Sequence, residues 1–272
     1  MKAFYHEQRI TVPEEFAGVF SHFYFAENRS PDFPVTKILL PTYQTILLFC
    51  FGKSASMQIP EGDLITVDQC IIFGPVRQSF EYTLSPGTSI LTANFRDDAF
   101  FRFFGKIIIE KNRTIHPDDL LEENCFTDLW HIISEIQSPE EQVHYILEFC
   151  KPYLPEQDAT GFLLSSFENN ALNPIKTVAT QTGQTERNIQ RRQKEQFGYS
   201  QKEISRYNRF LKAITFIEDC IKNQQQPEWF SIIDQCGYYD QSQLIHDFRH
   251  YLNLSPSQYL KFQQNICNPR SE

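Results

Sequence analysis

The last hundred residues carry one short pattern twice. In the first copy Val178-Ala179 lies just before Gly183, and Ile189, Phe197-Gly198 and Ser200 follow. In the second, Ile232-Ile233 lies just before Gly237, and Leu244, Leu252-Asn253 and Ser255-Pro256 follow. Gly183 to Gly198 is a step of 15 residues, and Gly237 to Asn253 one of 16. Apolar residues at helical spacing on both sides of a glycine predict helix, sharp turn, helix, because glycine enters the positive-φ region at little cost. Between the copies, Ser200-Gln201-Lys202-Glu203 reads as a capping box. It opens a helix with Ile204, Tyr207, Leu211, Ile214 and Ile221 along one side. This is helix-turn-helix grammar, in which the second helix enters the DNA major groove. A single copy is a weak signal. Two copies joined by a capped helix can address successive major grooves, roughly 34 Å apart.

Residues about 171–268 resemble the two-motif DNA-binding domain of AraC/XylS-type transcriptional regulators. The resemblance rests on Gly237-Tyr238-Tyr239, the polar helix start Asp240-Gln241-Ser242-Gln243, Phe248-Arg249-His250, and Ser255-Pro256 leading to Tyr259. It implies a first recognition helix from about Thr185 to Gln196, with Arg187, Gln190 and Arg191 in base- and phosphate-contacting places. It implies a second from about Asp240 to Tyr251, with Gln241, Ser242, Gln243 and His246 facing outward and Arg249 and His250 near the backbone. Gly183 and Gly237 are the turn glycines. The side-chain chemistry suits base reading, since arginine can be bidentate to guanine and glutamine to adenine, each contributing about 1–3 kcal/mol of discrimination. Arg192 and Lys194 are expected at backbone or solvent. The chain departs from the family pattern at Gln193, which stands in place of Phe, and at His246, in place of Arg. Asp247 is expected to add negative charge beside His246, and Asn253 replaces Gly. These departures imply less direct base reading by the second motif. Tyr238, Tyr239 and Phe248 are expected in the core.

The first half has a different period. From about 20 to 96 short runs rich in β-branched and aromatic residues alternate with turns: HFYF (22–25), TKILL (36–40), TILLFCF (45–51), LITVD (64–68), CIIFG (70–74), FEYTL (80–84) and SILTANF (89–95). Pro60-Glu61-Gly62-Asp63, Gly74-Pro75 and Ser85-Pro86-Gly87 punctuate them. Such spacing predicts an antiparallel barrel or sandwich. After Arg96, Asp97 and Asp98 are positioned to start a short helix carrying Phe100, Phe101, Phe103 and Phe104, ended by Gly105. Ser138-Pro139-Glu140-Glu141 opens a helix that buries Val143, Ile146, Leu147 and Cys150. A further helical stretch runs near Asp158–Glu168, and Glu168-Asn169-Asn170 with Asn173-Pro174 reads as a boundary. The expected fold is α+β: a β-barrel, cupin-like sensor domain over 1–105, a helical region over 106–168 suited to dimerisation, and an all-α DNA-binding domain over 171–268. The first part also resembles, by Gly74, Asn94-Phe95-Arg96 and Phe103-Phe104-Gly105, the β-rich N-terminal domain of one subgroup of these regulators.

Charge follows the same division. The net charge is −9, yet residues 171–272 hold 13 basic and 10 acidic groups, a net of +3, against −12 for 1–170. The first part repels phosphate and the last part can approach it. The 7 cysteines include no C-x-x-C pair and read as reduced thiols. No histidine lies between His22 and His116, so the strands offer no cluster for a cupin-type metal enzyme. Neither a G-x-S-x-G elbow nor a phosphate loop is present, and no cofactor is expected. The Phe cluster at 100–104 reads as packing, and Asp97-Asp98 and Asp118-Asp119 as helix starts rather than an acid/base pair. The longest strongly apolar run, Ile46 to Phe51, is far shorter than the ~20 residues of a membrane helix. The expected partners are double-stranded DNA, a small-molecule effector, a second copy of the chain, and RNA polymerase if the protein activates. The expected setting is the cytoplasm.

Overall fold

Seven strands follow from the apolar runs, and three more come from segments that carry little strand signal. The computed structural model describes residues 4–60, 62–107, 109, 113–121, 123–166 and 174–265, with side chains through 261. The strands are β1 (Tyr5–Ile10), β2 (Phe20–Asn28), β3 (Val35–Leu39), β4 (Ile46–Gly52), β5 (Ala55–Gln58), β6 (Leu64–Val67), β7 (Cys70–Phe73), β8 (Phe80–Leu84), β9 (Thr88–Phe95) and β10 (Thr114–Ile115). They form two antiparallel sheets, β1-β2-β9-β4-β7-β10 and β3-β8-β5-β6. Among the described residues no ladder joins the two, so of the expected forms the chain takes the open sandwich, not the closed barrel.

Strand β4 shows why the run ILLFCF is unbroken. Leu47, Phe49 and Phe51 point into a core shared with helices, while Ile46, Leu48 and Cys50 point into the space between the sheets. A strand covered on both faces needs apolar residues at every position. A slip of one residue against β9, where Leu48 opposes Thr92, would exchange the two sets.

The helical side of that core is built by α1 (Ala99–Phe104), α2 (Asp118–Leu121), α3 (Cys125–Ser134) and α4 (Pro139–Cys150). Phe95, Phe100, Phe103, Phe104 and Phe126 interlock with ring centroids 4.7–6.5 Å apart, so the phenylalanine cluster is packing. Helix α4 starts as its sequence requires: the Ser138 hydroxyl accepts the Glu141 N–H at 3.3 Å, with Pro139 in the first turn. Asp98 precedes α1, but its carboxylate makes no cap there. It takes Arg102 Nε at 3.0 Å and Gln157 Nε2 at 2.9 Å instead. Asp118 likewise serves a neighbouring helix, accepting the N–H groups of Phe126 at 2.7 Å and Thr127 at 3.0 Å at the start of α3.

Beyond these lie α5 (Ala159–Ser166), α6 (Pro174–Thr182), α7 (Glu186–Phe197), α8 (Gln201–Lys222), α9 (Trp229–Cys236), α10 (Gln241–Leu252) and α11 (Pro256–Asn265). The chain divides into two compact units, 1–200 and 201–272, rather than near 171. The reason is that α7 packs against α1 and α5, so the first helix-turn-helix belongs to the first unit. The expected boundary residues 168–170 and 173 lie outside the described residues. In the second unit Phe210 meets Tyr251 at 4.5 Å and Phe248 at 5.2 Å, and Phe248 meets Tyr259 at 5.7 Å. The cysteines at 50, 70, 125, 150, 220 and 236 are free thiols, and Cys267 lies outside the described residues. Among the described residues no helix is long and apolar enough to cross a membrane.

Candidate nucleic-acid interface

In the first motif, Gly183 turns the chain at φ 68° between α6 and α7. The Thr185 hydroxyl then accepts the Asn188 N–H at 3.3 Å and starts α7. Gly198 ends it in the left-handed conformation, φ 77°. Ile189, Gln193, Gln196 and Phe197 are buried, and Ile189 packs on Ile175, Val178 and Ala179 of α6. Arg187, Gln190, Arg191 and Lys194 are exposed, spaced i, i+3, i+4, i+7 along the opposite face. Gln193 occupies the core side that its replacement of Phe implies.

Arg192 is not a backbone or solvent residue. Its guanidinium turns inward to pair with the Asp158 carboxylate and donates to the Thr160 hydroxyl at 3.1 Å. Asp158 in turn accepts the Gly161 N–H at 2.7 Å at the start of α5. Burial works against its charge, but the Gly161 N–H, Arg192 and Gln196 together hold the carboxyl below its ordinary value.

The second motif repeats the construction. Gly237 turns at φ 78°, and the Asp240 carboxylate accepts the Gln243 N–H at 2.8 Å to start α10. Gln243 answers by accepting the Tyr239 N–H at 2.9 Å, so its side-chain oxygen serves the helix start rather than facing outward free. Gln241, Ser242, His246 and Arg249 are exposed. Asn253 ends α10 at φ 57°, the left-handed place that Gly198 holds in the first copy. Asn tolerates that conformation, so this departure from glycine leaves the cap intact.

Asp247 does not present negative charge at the surface. It is 1% exposed and takes Arg206 Nε at 2.6 Å and Arg209 Nη2 at 3.1 Å. Arg206 lies over the Tyr251 ring at 5.5 Å and Arg209 over Tyr238 at 4.7 Å. Arg206 also donates to His246 Nδ1 at 2.8 Å, which leaves the imidazole proton on Nε2. Lys202, Arg206, Gln243 and His246 line a groove of about 390 Å³ between α8 and α10. Sequence reasoning missed Arg206 and Arg209, whose partner lies some forty positions away on another helix. Tyr238 is buried as expected, but Tyr239 is 91% exposed at the start of α10. It stands in solvent, not in the core.

One cluster elsewhere has the outline of a thiol–imidazole–carboxylate triad. Cys70 Sγ lies 3.3 Å from His116 Nε2, and His116 Nδ1 lies 3.6 Å from Asp118 Oδ2. The details oppose nucleophilic chemistry. Burial, with Asp118 and Cys125 behind it, pushes the Cys70 thiol up to about 12. His116 Nδ1 accepts the Asp118 N–H at 3.3 Å, so the ring proton already sits on Nε2 and points at the sulfur. Among the described residues no group of three or more His, Cys, Asp or Glu is placed to hold a metal ion.

Residues 224–261 match the family of bacterial regulatory helix-turn-helix proteins, AraC family. The matched segment holds α9, α10 and the start of α11, so the second motif is an AraC-family helix-turn-helix. Among solved structures the chain is similar to ToxT from Vibrio cholerae, with 15% identity over 88% of this chain and 98% of that one and a TM-score of 0.40. The same protein in an unsaturated fatty acid-bound structure is 11% identical over 87% of this chain and 97% of that one, at a TM-score of 0.40. The Cupin_2 domain of an XRE family transcriptional regulator from Enterobacter cloacae is 11% identical, covering 35% of this chain and 97% of that one, at a TM-score of 0.28. No curated protein matches the sequence.

Proposed function

We propose that this chain, whose second motif is of the AraC family, is a sequence-specific, effector-responsive regulator of transcription. Each motif inserts its second helix into a DNA major groove. In the first, Arg187, Gln190 and Arg191 contact bases and phosphates. In the second, Gln241, Ser242, Gln243, His246 and Arg249 do so, with Lys202 and Arg206 beside them at the phosphates. Residues 171–268 act together as the DNA-binding piece, 1–105 as the sensor, and 106–168 as the surface that pairs two copies. RNA polymerase is a partner if the protein activates.

The observation that carries this reading is the sidedness of α7 and α10. Each buries its apolar residues against neighbouring helices and leaves a polar, donor-rich face in solvent, which suits groove insertion. The direct experiment maps bound sites across the genome and then measures affinity for a recovered duplex against a scrambled one. The expected result is preference for the recovered duplex, with log Kd varying linearly with log salt. Equal binding of both duplexes would overturn the assignment.

A further inference from the structure

Two side chains of α10 have their acceptor atoms occupied within the protein. Gln243 stands in the first turn of that helix, and its Oε1 accepts the Tyr239 N–H at 2.9 Å. A backbone N–H bonds only the carbonyl end of an amide, so Gln243 presents only its NH2 end to a ligand. His246, one turn later, accepts Arg206 Nη2 on Nδ1 at 2.8 Å. Arg206 is held in place, because its Nε meets buried Asp247 at 2.6 Å and its guanidinium lies over the Tyr251 ring. With Nδ1 occupied, Nε2 carries the imidazole proton, and His246 too presents a donor.

That restriction decides which base edges the pair can read. A free glutamine amide pairs with adenine because it offers a carbonyl to N6 and an NH2 to N7. Gln243 lacks the first half of that pair. The N4 amino group of cytosine also needs an acceptor, which neither side chain supplies. Guanine presents two adjacent acceptors, O6 and N7, in the major groove. Thymine offers O4 alone, beside its methyl group.

We propose that Gln243 and His246 make α10 a donor-only reader, which selects guanine in the second half-site by its O6 and N7 and rejects adenine and cytosine. The inference rests on the DNA-binding reading above and deepens it. Both residues lie in the first half of α10, the part of a recognition helix that meets base edges. Their heads are set before DNA arrives, the amide by a contact at the helix start and the imidazole through a buried ion pair. Tyr239 and Arg206 are thus positioning residues, which act on specificity through the atoms they occupy.

The test uses the full-length protein and a duplex recovered from the genome. Each base pair is randomised in turn, and the bound fraction is sequenced. The first half-site is the one whose preferences Arg191→Ala removes. Positions elsewhere that lose their preference in Gln243→Ala or His246→Ala are those these two side chains read. There the wild-type protein is expected to favour guanine over adenine and cytosine about tenfold. Replacing those guanines by 7-deazaguanine, which lacks the N7 acceptor, should weaken wild-type binding about fivefold or more. Arg206→Met releases Nδ1 and lets the imidazole take either tautomer. The His246 position should then admit adenine or cytosine, while the Gln243 position keeps guanine. Melting temperatures identify a variant that has not folded, and the 7-deazaguanine scan needs no variant. Adenine or cytosine preferred at either position, or 7-deazaguanine binding as well as guanine at both, would overturn the inference. So would a uniform loss of affinity in both alanine variants with every base preference intact, the result that phosphate contacts would give. In each of those cases sequence-specific binding stands. A protein indifferent to sequence in both half-sites would overturn the inference and the regulatory reading together.

Discussion

Arg191 and Arg192 are neighbours in sequence and opposites in role. About 100° of helix rotation separates them, enough to put one in solvent and the other against Asp158. Arg191→Ala is expected to weaken binding to the native duplex by about 1–3 kcal/mol with the melting temperature unchanged. Arg192→Ala is expected to lower thermal stability by about 1 kcal/mol, because its ion pair is half in solvent. Calorimetric melting and fluorescence anisotropy on both variants separate the two roles. If Arg192→Ala lost affinity and kept its melting temperature, the inward assignment would fail. His22 gives a pH prediction at the same scale. Burial, and then the charge of Arg9, hold its imidazole down to about 4. The unfolded chain takes up that proton near its ordinary value of about 6.5. Stability from the neutral ring is therefore present above about 6.5 and is lost as pH falls from there toward about 4. Urea midpoints should drop over that window, and less so in His22→Gln.

Apolar spacing and the turn glycines made α7 and α10 readable at the scale of elements, and local caps complete them. Thr185 and Asp240 cap the helices they precede, and Gly198 and Asn253 close them, all through contacts within four residues. Strands β1, β5 and β10 were not legible in the same way. β1 (YHEQRI) is a polar-rich edge strand, β5 (ASMQ) holds weak strand formers, and β10 has only two residues. Their pairing partners, not their composition, make them strands. The tie between α8 and α10 is also tertiary. Asp247→Asn should leave Arg206 and Arg209 without a counter-charge and destabilise the second unit. The expected cost is about 2 kcal/mol, below the range for a fully buried pair because both guanidinium groups keep contact with water. Denaturant melts of the fragment 201–272 would show it, and an unchanged midpoint would rule out a structural role for the tie.

At the scale of the molecule, the helix-turn-helix motifs fall in different compact units, which sequence periodicity did not foresee. The fragment 201–272 should therefore unfold cooperatively by itself. It should bind the recovered duplex more weakly than the full chain, since it lacks α7. A fragment that matches the full chain in affinity would show the first motif to be idle. The acidic first part and mildly basic last part make salt the natural probe. Removing a phosphate-contacting side chain should reduce the salt slope by about 1.

The amino-acid order by itself determined the helices of both motifs, their caps, their turn glycines and the doubly buried strand β4. Each of these depends on residues within a turn or on a short period, so the information is local. Only the tertiary structure decided that Arg192 faces inward, that Asp247 is neutralised by two arginines, that Tyr239 is exposed, and that Arg77 closes the end of α7. Those outcomes join residues 34 to 121 positions apart, or depend on which face of an element the rest of the chain covers. No local pattern encodes which distant partner closes the loop, because that choice belongs to the packing of the whole core.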